Sequence, residues 1–227
     1  MLGKYLYYEE PGIQIYCGDC REILPLIDPA TVDLVLTDPP YGMGAVFDRK
    51  GIRRPSLESK TATSRGWGSI VGDDEPFDPS SLLFFRRLAL FGANHYADRL
   101  PRSSKWLVWD KRCGTPPDNN SDAELIWTNL EGAVRIHRQK WRGLIREGEE
   151  NLSRGWKLHP AQKPIALIKW IIGLFDLKPG SLIFDPYMGS GMTLRAAKDM
   201  GYRAIGIEIK EKFCKVTVDR LRQEVLL

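Results

Sequence analysis

The sequence predicts an α/β domain built on an open, mostly parallel, doubly wound sheet. Short apolar runs such as "VDLVLT" (Val32–Thr37) and "SLIF" (Ser181–Phe184) read as strands covered on both faces. Between them stand stretches with helical spacing. In the last third of the chain "SLIFDPY", "SGMTLRAAKDMG", "YRAIGIEI" and "KEKFCKVTVDRLRQEV" alternate strand, helix, strand, helix, which is the βαβ signature. A chain of 227 residues accommodates one such domain with a sizeable core. With no internal repeat and no linker, residues 1–227 read as a single domain with insertions at about 42–76 and 135–157.

In order along the chain, "IQIYCGD" (Ile13–Asp19) predicts a strand and "CREILPLI" a short helix after it. "TVDLVLTDP" is the second strand. From Gly42 to about Pro76 the chain is rich in Gly, Ser, Arg and Lys without periodicity, a long loop of the kind that is functional or disordered. "DPSSLLFFRRLALFGA" (Asp78–Ala93) has helical spacing, with Asp78 or Ser80 placed to cap it. "KWLVWDK" and "EGAVRIHR" predict strands, and Gln139–Lys157 a second polar, basic excursion. "AQKPIALIKWIIGLF" predicts a helix, Pro164 being tolerated in its first turn.

The net charge of +4 is too mild to demand a polyanionic partner, but its distribution is uneven. Arg49–Arg65 holds six basic residues against Glu58, and Arg135–Lys157 holds seven against Glu147, Glu149 and Glu150. Such runs are ordinarily solvated faces; with Trp67 just after the first and Trp141 and Trp156 within the second they point towards nucleic acid. No apolar run reaches transmembrane length, and the N-terminus lacks a signal peptide's apolar stretch. Cys17 and Cys20 form one CxxC, with no second pair or nearby histidine to complete a zinc site. Reduced cysteines and a cytoplasmic location without membrane association are expected.

The richest segment is "LIFDPYMGSGMTLRAAKDMGYRAIGIEI". A strand ends at Asp185-Pro186, Gly189-Ser190-Gly191 turns the chain, and a helix starts near Met192 or Thr193. The next strand ends at Glu208, 23 residues after Asp185. This is a nucleoside-binding βαβ unit in which glycines admit the ligand and the second acid accepts ribose hydroxyls. Leu194 stands where a dinucleotide fingerprint has its third glycine. That argues against NAD and suits a cofactor without pyrophosphate, such as S-adenosyl-L-methionine. The run Val32–Thr37 also ends in an Asp-Pro step, Asp38-Pro39-Pro40-Tyr41. Ligands of open α/β sheets bind beyond the carboxyl ends of strands where the strand order reverses. The two Asp-Pro tips are therefore expected side by side, with Asp38 and Tyr41 facing a cofactor over Gly189 and Gly191.

On these residues the sequence resembles the amino-methylating DNA methyltransferases that act on N6 of adenine or N4 of cytosine. Asp38-Pro39-Pro40-Tyr41 is similar to their catalytic tetrapeptide, and "FDPYMGSGMT" (Phe184–Thr193) to their cofactor loop. "HPAQKPIALIKWII" (His159–Ile172) resembles a further family segment beside the cofactor's methionine part, and "CGDC" a Gly-Asp step that puts Asp19 near the cofactor adenine. The resemblance implies a Rossmann-like methyltransferase sheet, circularly permuted because the catalytic segment precedes the cofactor loop. It implies a cofactor site of Asp19, Lys163, Phe184, Asp185, Pro186, Gly189, Ser190, Gly191, Thr193 and Glu208. It also implies double-stranded DNA as partner; a homodimer stays open.

The chemistry explains the tetrapeptide. The exocyclic nitrogen of adenine is a poor nucleophile, because its lone pair is spread into the ring. A carboxylate and a carbonyl that accept its hydrogens turn that lone pair towards the methyl donor. Two prolines fix φ and remove competing N–H donors, so the acceptors stay aimed. The base must leave the duplex, and Tyr41 offers a ring for it to stack on. Asp at the first position leans towards adenine, since cytosine-N4 enzymes of the family more often carry Ser there. Alternatives are a cytosine-N4 enzyme, a non-catalytic DNA-binding module, and methylation of RNA or a protein amide. Lys163 reads equally as a partner of the cofactor carboxylate or as a solvated helix start. His159 reads as structural more readily than as a base. Asn94, His95 and Tyr96 read as base-pocket or capping residues.

Overall fold

A computed structural model of the protein describes residues 2–42, 44, 46–47, 53–54, 68–116, 121–142, 145–148 and 162–223. Its strands are β1 (Leu6–Glu10), β2 (Ile13–Cys17), β3 (Leu34–Thr37), β4 (Val46–Phe47), β5 (Arg53–Arg54), β6 (Gly68–Ser69), β7 (Leu88–Phe91), β8 (Trp106–Asp110), β9 (Ala123–Thr128), β10 (Arg135–Arg138), β11 (Trp141–Arg142), β12 (Ile145–Arg146), β13 (Leu182–Asp185) and β14 (Arg203–Glu208). Its helices are α1 (Cys20–Ile23), α2 (Ile165–Gly173), α3 (Met192–Asp199) and α4 (Glu211–Leu221).

A nine-stranded sheet runs in the order β1-β2-β14-β13-β3-β7-β9-β8-β10. Strands β2, β14, β13, β3, β7, β8 and β10 point one way, and β1 and β9 oppose them. The sheet is thus mixed and mostly parallel, the expected α/β architecture. The side chains obey the two-residue period of a strand. On β3, Leu34 and Leu36 enter one apolar layer and Val35 the other; on β7, Ala89 and Phe91 oppose Leu88 and Leu90. The first layer lies under α2, α3 and α4, and the second is closed by Ile23 of α1 and by Phe77, Leu82 and Phe85.

The two Asp-Pro strands are neighbours: Ile183 pairs with Leu34 and Phe184 with Val35. Asp33 fixes this register at the far end, its N–H donating to Leu182 O at 2.9 Å while its carboxylate accepts from Leu182 N at 2.8 Å. From β13 the chain crosses through α3 to β14 on one side, while β3 has β7 on the other. The order reverses between β3 and β13, which opens a crevice at their carboxyl ends.

Several sequence expectations are corrected. Asp78–Ala93 is not one helix: a series of turns over residues 80–87 leads into β7. The run "LALF" is buried on both faces, so sheet pairing outweighs its helical spacing. Strands β1 and β9 were not anticipated; both are antiparallel, and β9 mixes Glu124 into an apolar run. The excursion at 42–76 contains a small sheet of order β5-β4-β6. The second excursion begins with β10, an edge of the main sheet, and Trp141 is buried against Trp109 with ring centroids 6.4 Å apart. Trp67, Trp156 and His159 lie outside the described residues.

Candidate active site

A cleft of about 840 Å³ opens over the carboxyl ends of β2, β14, β13 and β3. Asp19, Asp38, Lys163, Asp185, Gly189 and Glu208 line it. Pro40, Pro186, Ser190 and Thr193 complete the part of its wall that the sequence anticipates. The other expected residues are placed elsewhere. Phe184 is fully buried beneath the sheet against Phe85, at 5.8 Å between centroids, and does not reach the cleft. It follows the alternation of β13, which turns it into the second apolar layer. Gly191 caps α3 in the left-handed region (φ 73°), where a Cβ would overlap the Thr217 side chain of α4. Its glycine is required by neighbouring protein as well as by backbone conformation. Pro39 is buried and Tyr41 stands behind Asp38.

The glycine missing from the helix has a counterpart on the strand. A Cβ at Gly206 of β14 would overlap Met188 Sδ and lie 2.9 Å from the methyls of Leu194. Close packing of α3 on the sheet is obtained by a bare strand position under a large helix residue.

Each acid is held differently. Asp19 caps α1, accepting from Arg21 N at 2.9 Å and pairing with the Arg21 guanidinium, which holds its carboxyl below the usual range. Asp185 accepts from Thr37 Oγ1 at 2.7 Å and Tyr187 N at 3.1 Å; burial still pushes it up to about 6. The Thr37 bond joins tips 148 positions apart. Glu208 accepts from Lys210 N at 2.7 Å and from the Gly189 amide, and burial pushes it up to about 7.

Asp38 is held by two side chains. Tyr41 donates its hydroxyl to Oδ1, and the Lys163 ammonium pairs with Oδ2. Burial raises the Asp38 pKa, with Lys163 opposing and Glu124 adding to the rise. Lys163 is therefore neither solvated nor free: it stands between Asp38 and Glu124, with Glu124 Oε2 at 3.4 Å. Its two carboxylates outweigh burial and raise its own pKa. Tyr41 stacks on His95 (centroids 5.1 Å, interplanar angle 14°), and Gly92 gives its ring room, since a Cβ there would overlap it. Tyr96 is a core residue whose hydroxyl donates to Phe91 O at 2.6 Å.

Two functional candidates escaped the sequence reading. Asp73 is buried, and its Oδ1 accepts from Tyr41 N at 3.0 Å and Gly42 N at 2.9 Å, fixing the backbone just after the two prolines. No motif marks it. Glu124 is a lone acid within the apolar strand "AELIWT", an irregularity that was the available signal.

A family model described as DNA methylase, covering N6 and N4 enzymes, matches residues 90–219, more than half of the chain. The type II methyltransferase M.ScaI of Streptomyces caespitosus is 25% identical, over 98% of this chain and 85% of its own. Among solved structures, the complex of M1.HpyAVI with SAM has a TM-score of 0.55 at 21% identity, covering 93% of this chain and 100% of that one. The cytosine-N4-specific PvuII DNA methyltransferase has a TM-score of 0.62 at 16% identity, covering 95% of this chain and 88% of that one. A mixed, mostly parallel sheet with acids at adjacent strand tips agrees with this family match: the chain belongs to the N6/N4 amino DNA methyltransferases, whose methyl donor is S-adenosyl-L-methionine.

Proposed function

We propose that the protein methylates the N6 amino group of adenine in double-stranded DNA, with Asp38 as the acceptor that prepares the amine. The observation that carries this reading is the placement of Asp38 at the tip of β3, in one cleft with the acids ending β13 and β14. Asp rather than Ser at this position supports adenine over cytosine.

The cleft suits a cofactor that is cationic and free of phosphate. Asp19, Asp74, Glu75, Asp78, Asp185 and Glu208 line it and outnumber the cations Arg21, Lys163 and Lys210; a pyrophosphate would face an excess of carboxylates. Glu208 and Asp19 would hold the adenosine part, and Asp185 with the Gly189-Ser190 turn the amino-acid end. When bound, S-adenosyl-L-methionine supplies an activated methyl group on a positively charged sulfur.

The chain's own residues prepare the nucleophile. Asp38 and the carbonyl of the Pro39-Pro40 turn accept the two amino hydrogens and aim the nitrogen lone pair into the cleft. Tyr41 orients Asp38 through its hydroxyl and, with His95, forms an aromatic wall for the extruded base. After transfer the nitrogen carries a surplus proton. Asp38, whose proton affinity burial has raised, is placed to take it. The insertions at 42–76 and 135–157 are assigned to DNA contact. The order of the segments, catalytic before cofactor, is read as the permuted arrangement.

Incubation with labelled cofactor and unmethylated duplex DNA, followed by digestion to nucleosides, tests this. Label in N6-methyladenine is expected; label only in N4-methylcytosine would replace adenine by cytosine. The likeness in fold to the PvuII enzyme keeps that second reading in view. Asp38→Ala should abolish transfer while cofactor binding persists, and near-normal turnover would remove Asp38 from its role.

A further inference from the structure

Asp38 does not stand alone with a substrate-facing carboxylate. It heads a row of alternating charges: Asp38, Lys163, Glu124 and Lys111. Lys163 Nζ pairs with Asp38 Oδ2 and lies 3.4 Å from Glu124 Oε2, and Lys111 Nζ donates to Glu124 Oε1 at 3.1 Å. The Lys163 side chain is only 10% exposed. Its position is imposed by the chain on both sides: Gln162 is buried, and Pro164, the N-cap of α2, restricts Lys163 to extended backbone. The ammonium also lies over the Phe91 ring, 5.1 Å from its centroid, at the end of β7. Three separate elements thus converge on one buried cation. A lysine merely starting a helix would extend into water, since its long stem ordinarily carries the charge outward.

We propose that Lys163 and Glu124 are a positioning pair that sets the charge and aim of Asp38. This rests on Asp38 being the amine's acceptor. Burial works against an ionised Asp38, and a neutral carboxyl would present its own proton to an amine that needs an acceptor. Lys163 supplies the opposing charge. A lysine wholly committed to Asp38 would, however, hold the oxygen the amine requires. Glu124 shares the ammonium from the other side and gives it a second partner when the amine arrives. The other groups facing Asp38 are the neutral Tyr41 hydroxyl, Asp185 at the neighbouring tip and Tyr96; none of them supplies a positive charge.

The two members act on Asp38 with opposite sign, which separates positioning from plain structural support. Removing the cation leaves two carboxylates facing each other and raises the Asp38 pKa; removing Glu124 lowers it. Single-turnover methyl transfer at saturating cofactor and DNA is measured from pH 5 to 9 for wild type, Lys163→Met, Glu124→Gln and the double variant. Lys163→Met should move the acid limb upward by about one pH unit or more, with activity partly restored above it. Glu124→Gln should move the limb downward, and the double variant should fall between Lys163→Met and wild type. Lys163 lines the cleft, so cofactor affinity is measured for each variant and cofactor is kept saturating; the opposite shifts of the two limbs should persist at saturation. Limbs that stay in place, or that shift in the same direction in both single variants, would overturn the proposal. So would a loss confined to cofactor affinity. Asp38→Ala is run in parallel. If it remains active, the acceptor reading itself fails; if it is inactive while the limbs stay put, only the positioning pair falls.

Discussion

At the scale of single residues, the acids at the tips of β13 and β14 are governed by desolvation. Asp185 and Glu208 are pushed up to about 6 and about 7 by burial, despite accepting hydrogen bonds. Both folded values lie above the ordinary 3.8 and 4.5. Their contribution to stability is therefore complete at low pH and is lost as pH rises towards 7. Ligand binding has the opposite sign, because a group that must accept hydroxyl or ammonium hydrogens has to be ionised. The melting temperature of the free protein should fall between pH 5 and about 7, while the rise caused by added cofactor should grow. Glu208→Gln should flatten both trends. A cofactor-induced shift that is constant over this range in the wild type would contradict the assignment of Glu208. Asp19, with its lowered pKa beside Arg21, titrates too low to interfere.

At the scale of elements, the D-P-P-Y segment is held by both covalent and tertiary restraints. Two prolines stiffen its middle, but only Asp73 satisfies the two amides that follow. Asp73 O also accepts from Gly44 N at 2.6 Å, so one residue ties the start of the 42–76 excursion to its end. Asp73→Ala leaves these amides without their carboxylate, at a cost of about 2 kcal/mol or more. The catalytic loss should exceed what reduced folding explains, because Asp38 loses its aim. We expect methyl transfer to drop by about ten- to a hundredfold under conditions where circular dichroism shows a native sheet. Unchanged turnover in a folded variant would show that the prolines suffice.

At the scale of the whole molecule, charge is distributed with a direction. Carboxylates outnumber cations along the cleft, whereas the basic runs fall, in the sequence, within the two excursions. On the proposed function, a cationic cofactor and a polyanionic duplex would be drawn to different parts of one protein. DNA affinity should fall steeply with salt, by a logarithmic slope of about −0.9 per phosphate contacted. Cofactor affinity in the absence of DNA should be far less sensitive. Neutralising Arg53 and Arg54 together should reduce the DNA slope by up to about two without changing cofactor affinity. An unaltered slope would take the first excursion out of the DNA interface.

Much of this organisation was legible in the order of residues alone. The Asp-Pro steps at Asp38 and Asp185, the glycines between Asp185 and Met192 and the spaced acid at Glu208 are local patterns. The short apolar runs that end in an Asp-Pro step mark the two strand tips at Asp38 and Asp185. Their adjacency followed from the general rule for open sheets, and the Thr37–Asp185 bond closes it. Local pattern could not assign β7, because "LALF" satisfies helix and strand spacing alike and is decided by the strands beside it. Nor could it show that Phe184 faces the core, that Trp141 packs on Trp109, that Asp73 accepts from the Tyr41 and Gly42 amides, or that Glu124 stands beside Lys163. Motifs record what backbone geometry demands of nearby residues. Which charge balances which, and which donor finds its acceptor, is fixed only when distant strands are brought within a few ångströms and water is excluded between them.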